Sequence, residues 1–187
     1  TPLASLKGFV ETLQGAAKDD AEARAQFLKI MQQQADRMSR LIEDLLSLSR
    51  IEMREHVAPT SVADLGAVAE EAIRALEAPA ADAGIAIGRS IEPGEWLVHG
   101  ERDELVQVAQ NLIQNAIKYG RRGGKVIVSI SREGERIAFA VKDDGIGIAP
   151  EHLPRLTERF YRVSAKESRE RGGTGLGLAI VKHILNR

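Results

Sequence analysis

Between Ala21 and Ile51 the chain runs without a proline or glycine, and Phe27, Met31, Ala35, Met38, Ile42, Leu45 and Leu48 recur at spacings of three and four. That period gathers them on one stripe of an α-helix. At 1.5 Å per residue, about 30 residues make a rod of roughly 45 Å. Leu3, Leu6, Val10 and Leu13 form a second, shorter stripe, with Pro2 suited to a first helical turn. Lys18-Asp19-Asp20 is the polar turn between the two. Two helices with two apolar stripes leave one side open, and a second pair closes them into a four-helix bundle. Residues 1–55 are therefore expected to form an antiparallel helical hairpin that pairs in a homodimer. The alternative is a hairpin packed on its own domain.

The pattern changes after His56 to Pro59, which reads as a linker, and a second domain is expected over residues 56–187. Val62 to Leu76 predicts a helix. Ile85-Ala86-Ile87 and Trp96-Leu97-Val98 predict short strands around the Glu92-Pro93-Gly94 turn. Asp103 to Tyr119 predicts a helix, and Lys125 to Ile130 and Ile137 to Val141 predict strands joined through Glu133-Gly134. The class is α+β: the hairpin, then an α/β sandwich with a mixed, mostly antiparallel sheet and helices on one face.

Composition bounds the function. Apolar residues are 43% of 187 and aromatics only 4%, so the core is aliphatic. With 26 basic and 27 acidic side chains the net charge is −1, which gives no global attraction to nucleic acid or an anionic membrane. The absence of cysteine excludes disulfides, thiol catalysis and cysteine-bound metals. No apolar run reaches 18 residues, and the chain opens on Thr1-Pro2-Leu3 rather than Met, as from inside a longer protein. Any membrane anchor is expected in missing upstream segments.

Three clusters carry chemistry. Asn111, Asn115 and Lys118 lie on one helical face at i, i+4 and i+7. Amide carbonyls are hard oxygen ligands suited to Mg²⁺ beside phosphate oxygens, and a lysine meets phosphate as a point charge. Taken alone, they also fit a solvated helix face. Asp143-Asp144-Gly145-Ile146-Gly147-Ile148 follows a strand. Its glycines allow close backbone approach, and a carboxylate there can accept a hydrogen bond from an exocyclic amine such as that of adenine. Alone it also fits an ordinary turn. Gly172-Gly173-Thr174-Gly175-Leu176-Gly177-Leu178 leads into a predicted helix, Ala179 to Leu185, whose N-terminal N–H groups favour an anion. No lysine follows the glycines and no strand precedes them, which sets this loop apart from a P-loop or a Rossmann turn. Alone it also fits a flexible hinge. Between the second and third clusters, Phe160-Tyr161-Arg162 precedes a charged stretch, Ser164 to Arg171, expected to form a lid.

Taken in order, these clusters resemble the N, G1, F and G2 boxes of the histidine kinases, within the GHKL ATPases that include Hsp90, the DNA gyrase B subunit and MutL. The resemblance extends over nearly the whole chain and is nearest to the phosphate-regulon sensor kinases. It implies a GHKL (Bergerat) sandwich that takes ATP or ADP with Mg²⁺. Asn115 would hold the metal, with Asn111 supporting it, and Lys118 and Tyr119 would contact nucleotide. Asp143 would bind the adenine amine, with Gly145 and Gly147 shaping the pocket. Gly173, Thr174, Gly175, Leu176 and Gly177 would cap the phosphates, Phe160 would anchor the lid, and Arg162 would neutralise the transferring phosphate. The resemblance also implies a homodimer, a response-regulator receiver domain as partner, and a cytoplasmic position in a membrane sensor.

Two departures stand out. Asp144 occupies a place where the family usually has Asn, tolerable where its side chain faces away from the pocket. The family's phosphoacceptor motif reads His-Glu-Leu-Arg-Thr-Pro-Leu, and the chain opens at Thr-Pro-Leu. None of His56, His99, His152 and His183 matches the acceptor position. Thr1, four residues after it, would be a phosphatase residue. Two other readings are a GHKL ATPase or serine kinase of another branch, and a dimerisation scaffold without turnover. The paired helices speak against the first, and the intact Asn115, Asp143 and glycines against the second.

Overall fold

The computed structural model describes residues 2–15, 17–54, 56–163 and 173–187. Helix α1 (Pro2–Gln14) folds back on α2 (Ala21–Glu52), with the Phe9 and Phe27 rings 5.4 Å apart. The Asp20 side chain starts α2 by accepting from the N–H groups of Glu22 (3.0 Å) and Ala23 (2.9 Å), which would otherwise be orphaned. No helix among the described residues is long and apolar enough to cross a membrane.

Beyond the linker, β1 (Val62–Asp64) pairs antiparallel with β3 (Leu97–His99), Val62 opposite His99. Helix α3 (Leu65–Asp82) therefore starts three residues later than its periodicity predicts. The cause is Asp64, whose side chain accepts from the N–H of Gly66 at 2.9 Å and caps the helix there. Strand β2 (Ala86–Ile91) runs parallel to β4 (Lys125–Glu133), which pairs antiparallel with β5 (Arg136–Asp143). The strands flanking Glu92-Pro93-Gly94 thus belong to different sheets. Trp96 is not in β3: its indole N–H donates to the Glu92 carbonyl at 3.0 Å, closing the turn into a separate loop.

Helix α4 (Arg102–Tyr119) carries Asp103 and Glu104 in its first turn and Lys118 in its last, matching the macrodipole at both ends. It packs with α3 on one face of the sheet, burying Ile73 and Ile113 against Val128 and Ile130. A 3₁₀ helix (Pro150–Arg155) follows β5, and α5 (Gly177–Leu185) closes the fold. A second apolar cluster joins the hairpin to this unit: Leu48 and Ile51 of α2 meet Val108 of α4 and Leu176, Ile180, Val181 and Ile184 at α5.

Candidate functional site

A cavity of about 1560 Å³ opens between α4, the end of β5, the glycine loop and α2. Asn111, Asn115 and Lys118 all line it. The helical spacing thus becomes a polar wall, because the opposite face of α4 holds Val106, Ala109 and Ile113 in the core.

Asp143 closes β5 and enters the cavity wall, where its Oδ1 accepts from the N–H of Gly145 at 2.9 Å. A Cβ at Gly145 would lie 2.5 Å from the Tyr119 carbonyl oxygen and 2.6 Å from Asp143 Oδ1, so glycine is what lets this turn close on α4. Gly147 borders the cavity at φ 72. Asp144 also borders it, but its carboxylate accepts from the N–H of Lys125 at 3.1 Å, tying the turn to the start of β4.

The glycine loop is pinned by its backbone. Phe160 has φ 62 and Gly175 φ 77. The Phe160 N–H donates to the Gly175 carbonyl at 2.8 Å. Phe160 is 55% exposed and stands outside the cavity lining, and it meets the glycine loop through its main chain. Arg162 lines the cavity and donates to the Gly173 carbonyl. Leu176 is fully buried in the α2–α5 cluster and offers the site only its backbone. Its N–H donates to Thr174 Oγ1 at 3.3 Å. Helix α5 begins at Gly177 with no side-chain cap, leaving its first N–H groups for an anion. A Cβ at Gly177 would lie 2.9 Å from Asn111 Oδ1, so this glycine seats the α5 N-terminus against the polar wall.

The electrostatics favour an anion. Burial pushes the Lys118 ammonium below its ordinary range; Tyr119 opposes this, and the guanidinium charges of Arg162 and Arg40 add to it. The Lys118 Nζ lies 5.1 Å from the centre of the Tyr119 ring. An entering polyphosphate would add negative charge beside these cations. Asn111 Nδ2 is buried without a hydrogen-bond partner among the described residues, a donor left for a bound group. The wall suits Mg²⁺ carried by a nucleotide: Asn115 offers a hard amide oxygen, and no group of three His, Cys, Asp or Glu exists among the described residues to cage a metal alone.

Part of the lining was not expected from sequence. Arg40, Glu43, Asp44, Ser47 and Arg50 of α2 border the cavity. Ser47 Oγ donates to Gln107 Oε1 at 2.9 Å, and Thr174 Oγ1 donates to Asp44 Oδ2 at 2.6 Å. Arg40, Asp44 and Ser47 repeat the i, i+4, i+7 spacing of the α4 wall, which is the signal that would have found them. The histidines stand apart from the cavity; His152 Nδ1 is 2.7 Å from the Tyr161 hydroxyl, and His183 Nε2 is 3.9 Å from Glu52. Thr1, Gly172 and the expected lid, 164–171, lie outside the described residues.

Comparison with known proteins identifies the family. The family model of histidine kinase-, DNA gyrase B- and HSP90-like ATPases matches residues 100–187, and that of the His Kinase A (phospho-acceptor) domain matches residues 1–54. The phosphate regulon sensor protein PhoR of Pseudomonas aeruginosa is 37% identical over 187 residues, covering 100% of this chain and 42% of PhoR. The sensor-like histidine kinase SenX3 of Mycobacterium tuberculosis is 38% identical over 184 residues, covering 98% of this chain and 44% of SenX3. The chain thus spans less than half the length of these curated relatives. The solved structure of Acinetobacter baumannii histidine kinase AdeS superposes with a TM-score of 0.72 at 28% identity, covering 99% of this chain and 83% of AdeS. Histidine kinase ThkA, solved in complex with response regulator protein TrrA, reaches 0.72 at 20% identity over 87% of this chain and 47% of that one, a likeness of fold alone.

Proposed function

The chain belongs to the sensor histidine kinases, and from that membership we propose that it is the ATP-dependent kinase core of a two-component system, a hairpin over residues 1–55 and an ATP-binding domain over 56–187. The observation that carries this reading is the convergence of Asn111, Asn115, Lys118, Asp143, Arg162 and the glycine loop on one cavity, from four separate segments of chain. Asp143 accepts a hydrogen bond from the adenine amine, while Gly145 and Gly147 leave room for the ring. Asn115, supported by Asn111, holds Mg²⁺, which when bound offsets the charge of the phosphate oxygens. Lys118 and Arg162 meet the phosphates, and residues 173–177 cap them with backbone N–H groups.

The phosphoryl acceptor is a histidine four residues before Thr1 in the parent protein. Its imidazole nitrogen attacks the γ-phosphorus; the new N–P bond forms as the P–O bond to ADP breaks. The phosphoryl group then passes to an aspartate of a response-regulator receiver domain. Thr1 positions water for the phosphatase reaction, in which water attacks the regulator's aspartyl phosphate and releases inorganic phosphate. The hairpin forms a homodimeric four-helix bundle, an assignment supported by exposed Ile42, Leu45 and Leu46 on α2. The ATP and regulator requirements put this segment on the cytoplasmic side of a sensor that is anchored, where it is anchored, through upstream segments. The test is a chain extended upstream by His-Glu-Leu-Arg and incubated with γ-³²P-ATP: acid-labile, base-stable label on that histidine is expected. A folded, ATP-binding extension that stays unlabelled refutes the kinase reading.

A further inference from the structure

Helix α2 meets the glycine loop through a hydrogen bond as well as through apolar packing. Asp44 is partly buried, and its Oδ2 accepts the Thr174 hydroxyl proton at 2.6 Å. One turn further along α2, Leu48 and then Ile51 are buried against Leu176, Ile180, Val181 and Ile184. At the end of the same face, Glu52 pairs with Arg159, the neighbour of Phe160. Two carboxylates of α2 therefore hold the two chains of the Phe160–Gly175 pair, one on each. Thr174 belongs to the loop assigned above to the phosphates, and its hydroxyl is already engaged by an anion. Arg40, one turn before Asp44, lies near enough to Lys118 to act on its charge, so Asp44 stands beside the same cationic cluster that polyphosphate would enter.

We propose that Asp44 is an affinity-setting residue of the nucleotide site, a tethered carboxylate that competes with the terminal phosphate for the glycine loop, so that ATP binding and docking of α2 on α5 oppose one another. This rests on the nucleotide reading above. Phosphate oxygens and Asp44 repel at short range, and they claim the same Thr174 donor. By linkage, whatever moves α2 away from Thr174 tightens ATP, and ATP loosens α2 from the loop by the same factor. A terminal phosphate adds charge nearest the loop, so the effect is larger for ATP than for ADP.

The test is calorimetric titration of this chain, wild type, D44N and D44A, with ADP and with a non-hydrolysable ATP analogue, each with Mg²⁺. D44N keeps an acceptor for Thr174 and removes only the charge; D44A removes both, and melting curves report that each variant is folded. Both variants are expected to bind the ATP analogue about fivefold tighter or more, at the lower end of typical coupling between sites, with a smaller gain for ADP. A silent wild type beside binding variants is the same result in stronger form. Equal or weaker analogue binding by both variants, with a wild type that binds, overturns the role of Asp44 and leaves the nucleotide site standing. No binding by any of the three folded proteins overturns the nucleotide reading and this inference with it.

Discussion

Gly175→Ala is the substitution that interrogates the loop most directly. Gly175 has φ 77, and a Cβ added there would lie 3.0 Å from Phe160 Cα and 3.1 Å from Phe160 C. An L-residue in that left-handed conformation costs roughly 1–2 kcal/mol. The backbone of Phe160 cannot retreat easily, since its own N–H donates to the Gly175 carbonyl at 2.8 Å and it too sits at positive φ, 62. Strain and crowding together come to about 1–3 kcal/mol, which in a protein of this size lowers Tm by about 2–12 °C. If the loop instead relaxes, Thr174 and the α5 N-terminus move, and the cost appears as lost nucleotide affinity. Thermal melting and ADP titration on the same preparation catch both outcomes. Phe160→Asn is the counter-test: asparagine tolerates the left-handed region, and Phe160 is 55% exposed, so stability should be unchanged or slightly higher. A G175A protein that melts and binds like wild type refutes the view that this backbone pair fixes the loop.

Asp143→Ala should abolish ADP binding while leaving Tm within about 2 °C, because the carboxylate is exposed and its hydrogen bond closes only the Gly145 turn; binding that survives removes Asp143 from the adenine contact. Burial holds Lys118 below its ordinary value of 10.5. The folded state therefore binds fewer protons than the unfolded chain between that lowered value and 10.5, and this group's contribution to stability rises with pH across that window. Phosphate reverses the shift, so ADP binding at alkaline pH should take up protons and weaken as pH rises. Titration at pH 9 in buffers of different ionisation enthalpy measures this, and proton release would contradict it. Ile42→Glu with Leu45→Glu removes four apolar side chains from a dimer seam; at about 1.5 kcal/mol or more each, the dimer should weaken by more than four decades and sediment as monomer. A dimer that persists places the interface elsewhere.

What the sequence conveyed and what it withheld divide along the range of the interactions. Helices α2 and α4 were legible because periodicity is local; spacing put Asn111, Asn115 and Lys118 on one face, but only their order with the other clusters distinguished a site wall from a solvated face. The start of α3 is not legible, because Val62-Ala63-Asp64 suits a helical pattern and only the capping by Asp64 and pairing with Leu97 to His99 decide otherwise. The partners of β2 and β3 were illegible for the same reason. Ala86 meets Lys125 across 39 positions, and nothing near either residue records that choice. The strained φ of Phe160 carries no sequence signal, since phenylalanine is among the residues least expected there.

The apolar stripe of α2 hides a division that follows from its own spacing. Ile42, Leu45 and Leu48 are three residues apart, and at about 100° per residue six residues turn the helix face by about 240°. Leu48 therefore points well away from Ile42. In the structure Ile42 and Leu45 are exposed at 53% and 40%, whereas Leu48 is buried at 3% against α5. Asp44, Ile51 and Glu52 fall on the Leu48 side, and Leu46 on the Ile42 side. The helix thus leaves one apolar face exposed and packs the other against α4 and α5. Both faces belong to one helix, so a rotation of α2 that repacked the Ile42 face would also shift Asp44 relative to Thr174.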